Sequence, residues 1–341
     1  MHITKYISRL VLTAIAAAGA LCLCAPRASA QTDPQFSQYY EVPSYYNPAA
    51  IGRTDFINIR GGARLQWIGI KNAPRDFVLT GDMPFKFVGK RWGTGLVMSQ
   101  ESIGLFRTLS ISAQLAFKYK KWGGEFSFAI APGMYDQTFK GSETYLPDDD
   151  DYHEGSDDAV PTQDLHGTSF DIGAGIWYTH RYWWAGISGL HLTSPTVKLN
   201  SDTGDGGASS GGADGTNNFE FHAGRTLYFM GGGNIPVKNT LFEIMPSVLV
   251  KTDFTFTTAE ITGRVRYNKF LSFGIGYRWN DAITATIAAE FRNFFVGYAY
   301  DYAVSDISKA SSGSHELIAG YRLKLDLSDR NTHRHKSIRI M

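Results

Sequence analysis

The densest group of potential metal ligands in the sequence is a run of aspartates, Asp148, Asp149, Asp150 and Asp151, with Asp157 and Asp158 close behind. Carboxylate oxygens are the ligands that Ca²⁺ prefers, so the run is a calcium-site hypothesis. It lacks the spaced D-x-D-x-D-G pattern of a calcium-binding loop. We therefore favour the alternative, in which these carboxylates are solvated on a surface loop.

Motifs for catalysis are missing from the sequence: it has no G-x-S-x-G, H-E-x-x-H, P-loop or cysteine-based zinc pattern. The Gly274-Ile275-Gly276 stretch lies inside a strand-like pattern with no helix after it, so it is not a nucleotide-binding loop. Ser188 and His191 are close in sequence, but one strand does not define an oriented triad. We expect no enzymatic activity and no cofactor.

A second set of chemically capable residues is spread along strand-like segments, where alternation assigns all of them to the polar face. They are Arg60, Arg64, Glu260, Arg264, Asp301, Glu316 and Arg322. Because buried charges must be paired, a ladder of salt bridges lining an interior is the favoured interpretation. A path for ions or solutes is the alternative.

The segments that position these charges alternate with period two from residue 56 to residue 325, which predicts strands with one apolar and one polar face. Fourteen strands are predicted, near 56–67, 75–84, 91–100, 107–119, 123–137, 168–179, 182–193, 218–230, 240–251, 254–267, 270–279, 282–291, 293–302 and 315–325. Many have roughly the 9–11 residues that a membrane-spanning strand needs. Their polar face is too charged for a β-sandwich core and suits a wet lumen. The prediction is an all-β, transmembrane antiparallel β-barrel of about 14 strands, with a soluble sandwich as the alternative.

Loop lengths predict the orientation of this barrel. The two long connections, near 138–167 and 194–217, both fall at odd-numbered turns, whereas most even-numbered turns are tight. Since bacterial barrels have short periplasmic turns and long outer loops, we expect both chain termini in the periplasm. The Gly- and Ser-rich stretch 194–217 is typical of a flexible surface insertion.

Tryptophan positions support the membrane assignment, because all seven lie at strand ends, as in the aromatic girdles of a barrel. Two places fit the pattern poorly. Arg225 falls on the apolar face of the eighth predicted strand, and the seventh has no clear polar face.

Residues 1–30 have the basic, apolar and Ala28-Ser29-Ala30 regions of a signal peptide, and they contain both cysteines. Residues 31–52 form an aromatic segment that we expect to plug the lumen or pack at the periplasmic rim, before a barrel over 53–327. Residues 328–341 form a basic tail that carries the docking candidates Arg330, Arg334, Lys336 and Arg339. A disordered tail is the alternative to a docking segment.

Overall composition narrows the class of protein. The 33 Lys and Arg residues nearly balance the 32 Asp and Glu residues, so nucleic acid is not an expected partner. Aromatic residues make up 14 % of the chain and charged residues 19 %, which argues against disorder. The 36 glycines argue against a helical bundle.

Several stretches resemble the PorP/SprF family of outer-membrane proteins of the type IX secretion and gliding apparatus of Bacteroidota. The stretches that carry the resemblance are Asp33 to Tyr39, Tyr46 to Ala49, Gln66 to Gly69, Asn72 to Pro74, Phe170 to Gly175, Gly189 to His191, Pro246 to Lys251, Gly297 to Tyr302 and Ser314 to Glu316. They extend over nearly all of the mature chain. The 194–217 insertion and the basic tail depart from the family pattern and bear on the choice of partner.

This resemblance implies a non-enzymatic secretion component in the outer membrane. Family members are associated with a periplasmic ring built from a PorK/GldK-type lipoprotein and PorN/GldN. Some are linked to the export or surface anchoring of cargo, such as adhesins with a C-terminal sorting domain. A FadL-like or porin-like transporter of small or hydrophobic solutes would share the barrel and remains the alternative.

Overall fold

Alternating side chains produce seventeen strands within the described residues, 33–144, 163–201 and 219–325, of the computed structural model. They are β1 (Phe56–Leu65), β2 (Arg75–Phe87), β3 (Lys90–Ile103), β4 (Phe106–Lys121), β5 (Gly124–Phe139), β6 (Leu165–Thr179), β7 (Trp183–Leu190), β8 (Thr196–Ser201), β9 (Phe219–His222), β10 (Thr226–Gly233), β11 (Ile235–Pro236), β12 (Phe242–Thr252), β13 (Thr257–Tyr267), β14 (Leu271–Arg278), β15 (Ala282–Phe291), β16 (Phe294–Ala303) and β17 (Ser314–Lys324).

Fourteen of these strands close into an antiparallel barrel. From β1 to β7, and then through β10 and β12 to β17, each strand pairs with the next, and β7 pairs directly with β10. The barrel closes where β17 pairs with β1, from Phe56↔Lys324 to Leu65↔His315. The predicted fourteen-stranded transmembrane barrel is therefore confirmed.

The two faces of the sheet follow the alternation predicted from the sequence. Apolar side chains such as Ile275, Ile130 and Phe170 are exposed on the outer face, whereas polar ones such as Glu260 and Thr262 are buried inside. Apolar residues outside and polar residues inside are the pattern of a barrel surrounded by hydrocarbon. Among the described residues, no helix is both long and apolar enough to span a membrane.

The two ends of the barrel differ in the length of their connections. Tight turns such as 88–89, 122–123 and 292–293 lie at one end, here called the short-turn end. The connections 140–164 and 191–225 lie at the other, the long-loop end. In bacterial barrels the short-turn end faces the periplasm.

A segment before β1, residues 33–52 (the plug), fills the lumen. Phe36, Tyr39, Tyr46 and Ile51 are fully buried there. The plug contains one helical turn, α1 (Pro43–Tyr46), and a 3₁₀ turn, Pro48–Ala50. The expected N-terminal plug is thus present, and it packs inside the lumen along its length.

The direction of the plug corrects the expectation that both ends of the chain face the periplasm. Leu325 does lie at the short-turn end, where its N–H donates to the carbonyl of Asp55. Asp33, however, contacts His191 and Lys251 at the long-loop end. The plug therefore runs the length of the lumen before β1 begins, which loop parity alone could not reveal.

The eighth predicted strand, 218–230, is wrong as a single strand. β9 leaves the barrel wall and pairs with β8 as a hairpin, and β10 begins only at Thr226. Arg225 lies exposed between them and not on a lipid-facing strand, which explains its poor fit. The hairpin packs over inward-facing Tyr135 and Leu165. A Cβ at Gly167 would collide with Val197 of β8, so the absence of a side chain there admits the hairpin.

The girdle interpretation is also wrong for two tryptophans, Trp177 and Trp184. Trp177 is fully buried, stacks on Trp184 at a centroid distance of 4.8 Å, and lies under the guanidinium of Arg53. Both indoles belong to the inner face, where the plug covers them. This contact also explains why the seventh strand lacks a polar face: the plug, and not water, packs against it.

The aspartate run Asp148–Asp151 and the tail residues Arg330, Arg334, Lys336 and Arg339 lie outside the described residues, as do residues 1–32. The calcium-site and tail-docking hypotheses accordingly stay predictions.

Candidate functional site

Five buried charges, each from a different strand, form an ionic cluster inside the barrel, towards its long-loop end. Arg64 of β1 lies 2.6 Å from Asp301 and 3.1 Å from Glu316. Arg278 of β14 lies 2.8 Å from Glu260 and 3.4 Å from Asp301. All five side chains are at most 4 % exposed, so each charge depends on its partners for stabilisation.

This ionic cluster holds the plug through Ser37 and Gln38. The backbone N–H groups of both residues donate to the Glu316 carboxylate, at 2.7 and 2.9 Å. The Ser37 hydroxyl donates to Asp301 and accepts from Arg278 at 2.7 Å. Two successive backbone donors pointing at one carboxylate form strong charge-assisted hydrogen bonds. The barrel charges therefore fix the plug backbone as well as one another.

A second anchor secures the beginning of the plug at the long-loop end. His191 lies between two carboxylates, with Nε2 3.1 Å from Asp33 and Nδ1 2.8 Å from Asp171. The Tyr228 hydroxyl donates to Asp33 at 2.6 Å, and the Lys251 ammonium donates to the Asp33 carbonyl. Three wall residues thus contact the first described residue, and Asp171 holds His191 from its other side.

Electrostatics favour the ionised forms of this anchor. Burial opposes the charge on His191, but Asp33 and Asp171 outweigh it and raise the pKa of His191 to about 10. Burial likewise opposes ionisation of Asp33, yet His191, Lys251 and Tyr228 hold its pKa well below the usual range. An imidazolium between two carboxylates therefore fastens the plug at neutral pH.

The middle of the plug is fastened by Asn47, within the Tyr46-to-Ala49 stretch noted in the sequence. Its Nδ2 donates to the carbonyls of Ile176 and Ile187, both at 3.1 Å, and its Oδ1 accepts from the N–H of Ala49. A Cβ at Gly175 would overlap the Asn47 side chain. The wall glycine thus lets one amide bridge two strands and cap a 3₁₀ turn.

Charged wall residues fasten the plug towards the short-turn end. Glu41 lies between Arg60 and Arg264, at 3.6 and 3.3 Å. Lys118 donates to the carbonyl of Ile51 at 2.6 Å. The N–H of Gly52 donates to Asp82 at 2.7 Å.

The structure brings together most of the charges selected from the sequence. Arg64, Glu260, Asp301 and Glu316 share the ionic cluster, and Glu41 joins Arg60 to Arg264. Arg322 stands apart, paired with Glu290 and half-buried near the short-turn end.

Sequence reasoning missed Arg278, Asp33, His191 and Glu41 as lumen charges. Alternation could have identified Arg278, because its neighbour Tyr277 faces outward. The other three lie outside the strands, in the plug or just after β7, where period two gives no signal.

The charged and polar groups of the barrel wall are arranged to bind one peptide segment inside the lumen, and the plug is that segment. Two cavities of about 60 and 150 Å³ lie beside the plug. The smaller is lined by groups such as Asp33, Glu101 and His191, and the larger by groups such as Arg53 and Arg60. Within the described residues, no group of three or more His, Cys, Asp or Glu side chains is arranged to hold a metal ion.

Comparison with solved structures shows the same fold. The toluene transporter TbuX of Ralstonia pickettii has a TM-score of 0.50 at 10 % identity, over 84 % of this chain and 94 % of its own. The CymD monoaromatic hydrocarbon channel has a TM-score of 0.47 at 10 % identity, over 84 % and 94 %. The toluene transporter TodX of Pseudomonas putida has a TM-score of 0.44 at 10 % identity, over 86 % and 95 %. No curated protein matches the sequence.

The sequence model for the type IX secretion system membrane protein PorP/SprF matches residues 28–321. The match covers the plug, all but the last residues of β17 and every strand between them. Together with the barrel fold, it indicates an outer-membrane location. The chain belongs to the PorP/SprF family of type IX secretion system membrane proteins.

Proposed function

We propose that the protein is a non-enzymatic component of the type IX secretion and gliding apparatus. In this role it docks a periplasmic ring of PorK/GldK-like lipoprotein and PorN/GldN-like proteins. It supports the export or surface anchoring of cargo that carries a C-terminal sorting domain. Family membership supports the secretion role. The observation that supports docking over solute transport is the filled lumen, because the plug occupies the space through which a solute would pass.

The plug favours a docking role because its anchors are distributed along the whole lumen. The wall holds it at Asp33, at Ser37 and Gln38, at Asn47 and at Gly52. A solute would have to displace several buried charge-assisted bonds at once to pass. A rigid, filled barrel suits an anchoring platform in the membrane.

A FadL-like or porin-like transporter is the second candidate, and the observation that favours it is the barrel fold shared with TbuX. Hydrophobic-ligand sites are lined mainly by apolar side chains. The two cavities described beside this plug, of about 60 and 150 Å³, are smaller than the roughly 300 Å³ of a typical ligand site, and charged groups line both. Neither cavity therefore suits a hydrophobic ligand, which disfavours this candidate.

The test is purification in mild detergent followed by identification of the co-purifying proteins, with photo-crosslinkers placed at either end. Crosslinkers at Lys121, His180 or Lys269, in tight turns, should capture PorK- or PorN-like proteins. Crosslinkers within 148–158 should capture extracellular cargo or nothing. Capture of ring proteins by 148–158 would invert the orientation and overturn the docking proposal.

A further inference from the structure

A basic cleft of about 1060 Å³ opens at the short-turn end of the barrel, beneath the plug. We call it the vestibule. Its cations are Lys86, Lys90, Arg91, Lys118, Lys120 and Lys324. Asp55 and Glu125 are the acidic residues in its lining. The positive charges therefore outnumber the negative ones by a wide margin.

Strand geometry shows that the vestibule is the inner mouth of the lumen. Lys118 points inward, because its ammonium donates to the carbonyl of Ile51 in the plug. Lys120 is two residues further along β4 and so shares that face. Lys324 shares the face of Glu316 in β17, since the two are separated by an even number of residues.

Three of the six cations make no ion pair with the described residues. Arg91 lies 2.9 Å from Asp55, and Lys118 lies 3.9 Å from Glu125, so both acidic groups already face a cation. Lys90, Lys120 and Lys324 are exposed and make no ion pair with the described residues. A concave surface lined by one sign of charge focuses the electric field and attracts ligands of the opposite sign.

Within the described residues, Asp55 and Glu125 are the acidic groups that line the vestibule, and both already lie near a cation. The sequence that follows Leu325 adds more basic residues than acidic ones: Arg330, Arg334, Lys336 and Arg339 against Asp326 and Asp329. A second molecule that carries several carboxylates would therefore complement the remaining positive charge.

The occupant is better matched by a peptide than by a permeating solute. The vestibule ends against the plug, where Lys118 and Arg91 donate to the carbonyls of Ile51 and Gly52. A small anion that entered the vestibule would reach the plug and find no open path beyond it. Several separated cations suit an extended segment with several carboxylates, each contact contributing modestly.

We infer that the vestibule is a docking site for an acidic peptide segment of a periplasmic partner. The inference rests on the proposed function and deepens it, because it assigns the surface and the chemistry of the contact. Binding at this site should depend strongly on ionic strength, since exposed charges are screened by salt.

The experiment uses the mature protein in detergent and a fluorescein-labelled decaglutamate peptide as the probe. The vestibule variant combines Lys90→Glu, Lys120→Glu and Lys324→Glu. The matched control combines Lys121→Glu, Lys238→Glu and Lys269→Glu, which reverses the same charge on exposed residues at the same end but outside the cleft. Gel migration with and without boiling verifies that both variants keep the closed barrel.

At low ionic strength we expect the vestibule variant to lose affinity about tenfold or more, and the control about threefold or less. Equal losses would mean attraction to the whole basic end and would overturn the inference. The inference would also be overturned if the native protein did not bind the peptide. It would likewise be overturned if the native protein bound only phosphatidylglycerol nanodiscs and the vestibule variant abolished that binding.

Ring capture separates this inference from the proposed function. If the vestibule variant and the native chain capture equal amounts of ring proteins, the docking proposal stands and the assignment of the vestibule as the docking site is overturned. If decaglutamate binds as expected but no ring protein is captured by the native chain, the assignment stands and the docking proposal falls.

Discussion

The guanidinium of Arg64 lies 2.6 Å from the carboxylate of Asp301, although the two residues belong to strands separated in the barrel by β17. The ion pair spans the lumen side of that strand and reaches Ser37 of the plug from both sides. Barrel closure and plug seating are therefore coupled through the same charges.

The first prediction concerns Glu316. Replacing it with Ala removes one of the two carboxylates that pair with Arg64 and leaves two backbone N–H groups without their buried acceptor, so stability should fall by about 3–5 kcal/mol. Urea unfolding followed by tryptophan fluorescence measures the change. The Glu290→Ala variant is the matched control, because Glu290 pairs with half-buried Arg322 and should lose about 1 kcal/mol or less. Similar losses in both variants would contradict a special role for the ionic cluster.

The second prediction concerns closure of the sheet. Because β17 pairs with β1, the barrel has no free edge at which unfolding begins. Unboiled protein should migrate differently from boiled protein on a denaturing gel. Identical migration, combined with release from membranes by salt or carbonate, would be evidence against an integral barrel.

The third prediction concerns the plug. The intact protein should show little conductance in planar bilayers, because buried side chains such as Tyr39 and Tyr46 occupy the lumen. Deletion of residues 31–46 should raise single-channel conductance, since it removes those side chains together with Ser37 and Gln38. A large open conductance of the intact protein would refute the plug and favour a porin.

The fourth prediction concerns pH. The pKa of His191 is raised from 6.5 to about 10, so its stabilising contribution is full below about pH 6.5 and is lost as the pH rises through 10. The pKa of Asp33 is lowered, so its contribution is present above its ordinary value and is lost as the pH falls. The plug anchor should be strongest in mildly acidic solution.

This dependence is measured from unfolding midpoints of native and His191→Gln protein at about pH 6 and about pH 10. The native protein should lose more stability on alkalinisation than the variant, by on the order of a few kcal/mol at most. His222→Gln, in the exposed β8–β9 hairpin, should behave like the native protein. An equal loss in native and His191→Gln protein would exclude the anchor.

The barrel could be predicted from the sequence because period two is a local signal, visible in stretches such as β12 and β13. The position of Asp33 at the long-loop end could not be predicted, because the sequence of a segment without regular structure does not indicate the direction in which the segment runs. The break between β9 and β10 was missed for a related reason. The alternation from Phe219 to Phe229 is interrupted only by Arg225, and the hairpin departs from the wall through contacts distant in sequence.

The ionic cluster was partly predictable. Alternation assigned Arg64, Glu260 and Glu316 to the inside, because their neighbours are apolar. It could not identify their partners in the plug, since Ser37 reaches Arg64 and Glu316, and Gln35 reaches Glu260, only when the plug has folded into the lumen. The expectation of a wet lumen also failed here: the polar face is buried against protein, because the plug takes the place of water.

The opposite placement of Asp33 and Phe56 means that the plug crosses the lumen once, from one end of the barrel to the other. Its anchors hold both ends: His191 contacts Asp33 at the long-loop end, and Asp82 accepts from the N–H of Gly52 towards the short-turn end. One continuous segment therefore connects the two faces of the membrane mechanically, so that a displacement of the wall at either end acts on the same plug.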